Sequence, residues 1–533
     1  MSNVEQNRAR AGPEPGLGCP GSRARAGARL AWTVPFDARE PAREREHLRP
    51  GRDHARRHEA APGLHRQRLR ARGRGRTYPF VFNNGSADPF FGVTSPGFLD
   101  ELTPWGEHVA TIRVPDDQFV TSFSSKSELA LNLSPERRYV SFMGYVAKPG
   151  MLDVSNANTP GVIDPGNGDK GPYYRVVAQL DRRGRFTFTE TNAYSGDNGR
   201  AAITNDEHGR DLIYAAGNAG QSKKPVPGVI LGAGAQFIAP SSVPEADQTP
   251  GQPTPLGSFN ITELGYPADK ASKDNNYRAI AIHDNVVYYT KGSGGNGVNT
   301  VYFVDTTGKA CPNGVGVPER GAQLPTSPPA FTVSDGGPVP TNMCILKGFP
   351  TKLAASTTMF PFGMWFANDH TLYVADEGSG DNTYSTTTGQ YTNATAAAQP
   401  AAGLEKWVFS SGSWHLAYTL QNGLDLGRPY TVRGYPTGDN AASGLPWAPA
   451  TDGLRALTGR VGRHGIATIW AVTSTVSGNG DQGADPDKLL AISDPVHATT
   501  PASGKFWTVR TAKFGQVLRG VSFTPGTHQG SGG

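Results

Sequence analysis

Four arginines recur at one matching position. Arg200-Ala-Ala, Arg278-Ala-Ile, Arg455-Ala-Leu and Arg519-Gly-Val each belong to a short apolar run. A guanidinium presents paired donors in a fixed plane, so several facing one opening would make a strong site for carboxylate or phosphate. Glu128 and Phe362 hold the same position in two other runs. The small residue after each arginine suits a crowded centre. The competing role is structural, each arginine pairing with an aspartate such as Asp181, Asp305, Asp376 or Asp494 to fasten one repeat to the next.

Two loops are rich in carboxylates and glycine: Asp376-Glu377-Gly-Ser-Gly-Asp381-Asn382, and residues 479–487 with Asp481, Asp485 and Asp487. Ca²⁺ seeks several oxygens on a flexible loop, which makes Asp376, Glu377 and Asp381 candidate ligands. Neither loop has EF-hand spacing, and solvated turns are the plainer reading. His283, His370, His415 and His464 are scattered and read as turn or strand-end residues. No Gly-x-Ser-x-Gly elbow and no phosphate loop with a following lysine is present. Cys311 and Cys344 flank one Pro-rich connection, and a disulfide between them would fit an oxidising compartment.

The elements that must position these residues are short strands. Phe360 to Gly378 reads as two strands around an Asn368-Asp369 turn, and 404–409 and 414–420 supply two more. Four such strands make an antiparallel meander that cannot bury both its faces alone, so it needs copies of itself. The copies have leading strands near 128, 200, 278, 362, 455 and 519, at spacings of roughly 64 to 93 residues. Insertions at 151–172, 236–255, 317–341, 379–402 and 422–452 account for the excess length. Strands at 78–82, 97–102 and 108–114 lack a leader, and the run 517–525 is a leader with nothing after it. Joining the two ends removes both exposed sheet edges. The expected fold is an all-β propeller of six blades, or seven if 422–452 hides a meander, closed by pairing the C-terminal strand with the N-terminal blade.

Composition agrees. Gly (67) and Pro (43) are abundant among 533 residues, and no long run has helical apolar spacing. The net charge of +5 is unevenly placed. Residues 1–76 hold 18 Arg, no Lys and 8 acids, or +10, which leaves −5 for the remainder. That first segment lacks Tyr and Ile and cannot bury enough apolar surface to order itself, so it is expected to be disordered, with the propeller spanning 77–533. Clustered arginine also suits a nucleic-acid arm. The abrupt change at Tyr78 matches GC-rich coding DNA read out of frame, and nucleic-acid binding is not expected. No apolar run makes a secretory signal or a membrane span.

The stretch Gly363-Met-Trp-Phe-Ala-Asn-Asp-His-Thr-Leu-Tyr-Val-Ala-Asp-Glu-Gly378 resembles one repeat of the NHL-type propellers. Leu129-Ala-Leu-Asn-Leu-Ser-Pro-Glu-Arg-Arg-Tyr-Val140 resembles the Ser-Pro hairpin of YVTN-type bacterial propellers. Each resemblance covers one blade and implies a fold, not a reaction. Together they imply an exported bacterial propeller, extracellular or periplasmic. Its expected function is non-catalytic binding of an anionic ligand at the channel mouth by Arg200, Arg278, Arg455, Arg519 and Glu128, in a monomer. The alternatives are a metal-assisted hydrolase of the lactonase or phytase kind, which Ca²⁺ would serve, and a structural or adhesive surface protein.

Overall fold

The computed structural model describes residues 30–33 and most of 93–527. Residues 1–29, 34–92, 123–128, 152–153, 161–171, 208–211, 219–233, 239–257, 260–275, 293–296, 312, 327–330, 335–336, 341–342, 353–358, 442, 479–484 and 528–533 lie outside that description. The strand expected at 78–82 and Glu128 fall outside it.

The protein is an all-β propeller with five blades of strands in chain order. Blade I is Asn132–Leu133, Tyr139–Tyr145, Arg175–Asp181 and Phe186–Thr191. Blade II is Gly199–Asn205, Leu212–Gly217, Ala235–Ile238 and Ser258–Phe259. Blade III is Tyr277–His283, Val286–Lys291, Thr300–Val304 and Met343–Leu346, with Val315–Gly316 added in parallel. Blade IV is Pro361–Asn368, Thr371–Asp376, Gly403–Ser410 and Ser413–Leu420. Blade V is Ala450–Val461, Ile466–Val476, Lys488–Pro495 and Trp507–Thr511.

The blade count of six or seven is corrected to five. The strands at the N-terminus do not form a blade of their own. Phe98–Leu102 and His108–Arg113 belong to a sheet whose order is Val521–Phe523, Leu30–Thr33, Phe98–Leu102, His108–Arg113. The described residues of 422–449 form no further meander and hold turns and the bridges Pro429 to Ala450 and Asp439 to Pro446. Part of the segment expected to be disordered is a strand, because Leu30–Thr33 pairs antiparallel with both Val521–Phe523 and Phe98–Leu102. Its sequence, Leu-Ala-Trp-Thr, carries no charge, so it can lie between two sheet edges and satisfy both.

Burial falls from the middle strands to the rim. Every residue of Val286–Lys291, Thr300–Val304 and Thr371–Asp376 is buried, because each strand has neighbours on both sides and sheets on both faces. The fourth strands, such as Ser413–Leu420 and Trp507–Thr511, are partly exposed. Apolar layers fill the spaces between blades. Tyr288, Phe366, Trp407 and Trp414 lie in one such layer, and Trp470, Leu489, Val521 and Phe523 in another. A fully buried side chain of this size stabilises by about 1.5–3 kcal/mol.

The leading strands lie side by side. Those of blades I to V contact their successors through II, III and IV, and Val521–Phe523 contacts the leading strands of both V and I. Their approach is close. A Cβ on Gly363 would run into the Arg455 carbonyl oxygen, and one on Gly520 would run into that of Leu129. Only glycine fits at either position.

Candidate functional site

Three of the four arginines expected to converge, Arg200, Arg278 and Arg455, sit in bulges, and Arg519 lies just before the strand Val521–Phe523. In blade II the register with the second strand skips Arg200, and in blade III it skips Arg278 and Ala279. Blade IV skips Phe362 and Gly363, and blade V skips Arg455 and Ala456. An extra residue in one strand re-aims its side chain and bends the strand, so one irregularity repeated in four blades turns these side chains to a common place.

That place is buried. Arg200, Arg278, Arg455 and Arg519 are between 2% and 5% exposed. The carboxylate of Glu377, just past the second strand of blade IV, bridges two of them. Its Oε1 lies 3.5 Å from Arg278 Nη2 and its Oε2 accepts from Arg455 Nε at 3.2 Å. Phe362 packs against both cations, with the Arg278 and Arg455 guanidinium carbons each 5.8 Å from its centroid. Glu377 thus ties blade III to blade V across blade IV. Arg200 donates through Nη1 to Asn276 Oδ1 and, at 3.1 Å, to the Tyr277 carbonyl, and its Nη2 lies 4.0 Å from Asp197 Oδ1.

The cations feel one another. Burial holds the Arg278 guanidinium down to about 9; Arg200 and Arg455 push the same way, and Glu377 and Asp197 pull against them. It remains protonated at neutral pH. Buried carboxylates surround the cluster, each pushed up first by desolvation. Asp376 rises to about 7 with Glu377 and Asp452 adding to the effect, although Phe360 N (2.6 Å) and Gly378 N (2.9 Å) donate to it. Asp452 rises to about 6 and accepts from Gln399 Nε2 (2.6 Å) and Gly380 N (2.7 Å). Asp487 rises to about 8 against the pull of Arg519 and Arg455, and accepts from Leu518 N at 2.7 Å. Glu405, on the third strand of blade IV, is also raised by burial and then by Asp376, and accepts from Trp407 Nε1 at 2.9 Å. Gln399 and Gly380 belong to the 379–402 insertion, which thereby covers Asp452.

The aspartates expected to neutralise the arginines do other work. Asp181 and Asp305 close their own turns, Asp181 through Arg183 N and Arg185, Asp305 through Thr307, Gly308 and Ala310. Asp376 takes backbone donors. Asp494 accepts from Lys406 Nζ (2.9 Å), Tyr418 OH (2.9 Å) and Tyr373 OH (2.5 Å), a buried latch between blades V and IV. The bridging role falls instead to Glu377, the residue after Asp376, which sequence reasoning placed among the Ca²⁺ candidates. Its position directly after a second strand was the only available signal.

The Ca²⁺ candidates are not assembled as a set. Asp381 is exposed and caps Thr383 N (2.9 Å) and Asn393 Nδ2 (2.8 Å), while Asp376 and Glu377 are buried and already engaged. A carboxylate bridging two arginines does not fit a dication. Among the described residues, Asp305, Cys311 and Cys344 are the three metal-capable side chains that lie within 4.8 Å of one another. Cys311 and Cys344 are joined as a disulfide, with Cα atoms 6.1 Å apart. In the second acidic loop, Asp485 is no solvated turn: it is buried and accepts from Tyr435 OH (2.6 Å) and Ser477 Oγ (2.9 Å). His283 stacks on Phe366 at 4.3 Å and reaches Asp369 Oδ1 at 3.0 Å, a strand-end role.

No protein-family model matches the chain, and no curated protein matches it in sequence. The propeller architecture rests on the structure, and no helix among the described residues is long and apolar enough to cross a membrane.

Proposed function

We propose that the protein is a non-catalytic, exported propeller that binds an anionic ligand at the axial arginine cluster, through a head group of carboxylate or phosphate size. One observation carries this reading: Arg278 and Arg455 are buried against the same anionic group, the Glu377 carboxylate, at 3.5 and 3.2 Å, with Arg200 a further like charge acting on Arg278. An anion entering such a cluster relieves that repulsion and meets guanidinium donors already held by the bulges. Export draws support from the Cys311–Cys344 disulfide. Closure of the ring by the sheet that joins both ends draws support from the pairing of Val521–Phe523 with Leu30–Thr33. The NHL- and YVTN-like runs lie in blades IV and I and are offered as the repeat type.

Thermal unfolding of the full chain with phosphate, citrate, sugar acids or Ca²⁺ tests the reading. A ligand at 100 times its Kd stabilises by about 2.7 kcal/mol. Phosphate or citrate should stabilise the parent and lose that effect in Arg278→Ala. Stabilisation by Ca²⁺ alone, or none by any anion, refutes it. A hydrolytic reading draws on Asp376 and Asp452, whose carboxyls lie near neutral pKa and could exchange protons with a substrate. Turnover of lactones or phosphate esters that is lost in Asp376→Asn would favour it instead.

A further inference from the structure

A second cationic feature lies away from the axial cluster. In an antiparallel meander the turn between strands one and two and the turn between strands three and four fall at the same end. In blade I these are residues 134–138 and 181–185. They carry Arg137, Arg138, Arg182, Arg183 and Arg185. The chain beyond Val521–Phe523 crosses to the same place, where Gly526 N donates to the Arg137 carbonyl at 2.7 Å and Arg137 Nη1 reaches the Thr527 carbonyl at 3.4 Å. Between them is an open cleft of about 470 Å³ lined by all five arginines.

The lining charge is unbalanced, with Glu136 and Asp181 the two acids against five cations. Those acids are partly engaged. Asp181 holds Arg185 at 2.7 Å and two backbone amides of its turn, and Glu136 lies 3.8 Å from Arg138. Arg138 is further anchored by Asp206 from blade II, whose carboxylate also accepts from Ser134 Oγ (2.6 Å) and Glu136 N (2.9 Å). The first turn is therefore rigid, which lowers the ordering cost of binding. Arg182 and Arg183 are exposed, and among the described residues their guanidinium groups have no hydrogen bond or ion pair.

We propose that this cleft binds a small anion bearing at least two phosphate or sulfate groups. Several guanidiniums on two facing turns match a ligand with separated oxyanions better than a single ion. The volume lies at the lower end of the range for small-ligand sites. Arg182 and Arg183 clamp one group from the second turn, and Arg137 faces the other from the first. The site is independent of the axial reading, since it shares no residue with it.

Calorimetric titration of the full chain with pyrophosphate, orthophosphate and a disulfated disaccharide tests this. Pyrophosphate or the disulfated sugar should bind at least about tenfold more tightly than orthophosphate, since each added charge-assisted contact is worth roughly a factor of ten. The tighter of the two arms identifies the chemical source. Arg182→Ala with Arg183→Ala, exposed positions that should fold normally, should abolish the preference. Glu136→Gln should tighten binding. Equal affinity for one and two oxyanions, no binding of either divalent probe, or a folded double variant with unchanged affinity overturns the proposal.

Discussion

Replacing Glu377 by Gln should strip the axial cluster of its bridging charge while keeping the side chain's shape. Glu377 is 4% exposed, Arg278 2% and Arg455 5%, so water can do little to compensate. Both contacts, at 3.5 and 3.2 Å, are within ion-pair range. Removing one partner of a buried pair leaves an uncompensated charge, at a cost of about 3–5 kcal/mol. Here two guanidiniums lose the same partner, which places Glu377→Gln toward the upper part of that range. Chemical denaturation of parent, Glu377→Gln, Arg455→Met and the double variant measures it. The double variant should be more stable than the sum of the single losses predicts, by about 0.5–3 kcal/mol, because the partners touch. Added phosphate should restore part of the loss in Glu377→Gln, taking the place of the missing carboxylate. A loss below about 1 kcal/mol, the level of an exposed ion pair, together with no recovery in phosphate, would falsify the view that Glu377 holds the cluster together.

Three other outcomes are expected. Lys406→Met should destabilise by about 3–5 kcal/mol, since it leaves Asp494 buried beside Tyr373 and Tyr418 without its cation; Lys406→Met with Asp494→Leu should recover most of that in denaturant titrations. Asp487 is protonated in the folded protein up to about pH 8 but only below about 4 when unfolded, so its contribution to stability falls as pH rises between those values; Asp487→Asn should flatten that fall, and an unchanged pH profile would argue against it. Deleting residues 1–76 should expose the edges of Val521–Phe523 and Phe98–Leu102, and light scattering should show association; a deletion that stays monodisperse with an unchanged melting temperature would show that Leu30–Thr33 is dispensable.

The strand pattern was legible because strand formation is written locally. Alternating apolar residues bounded by Gly, Asn and Asp turns mark all four strands of blade IV. The equivalence of Arg200, Arg278, Phe362 and Arg455 was legible too, since matching positions in repeated meanders must share a place, and the bulges at all four agree. The count of blades was not. Phe98–Leu102 and His108–Arg113 look like blade strands in isolation, and nothing near them reveals that Leu30–Thr33 will pair between them and the C-terminus.

The residue types alone determined that this chain would be an all-β propeller with arginines at one matching position of its leading strands and a cysteine pair across one connection. Which carboxylate meets which cation was decided only in three dimensions. Arg455 and Glu377 are 78 residues apart, and Lys406 and Asp494 are 88 apart. No local pattern encodes such a pair, because the partner is chosen by which blades become neighbours and by bulges that turn a side chain through the sheet. The blade I cleft is the same case. Its arginines are visible in sequence as two separate turns, and they become one site because a meander brings alternate turns to one end and the C-terminal chain closes over them.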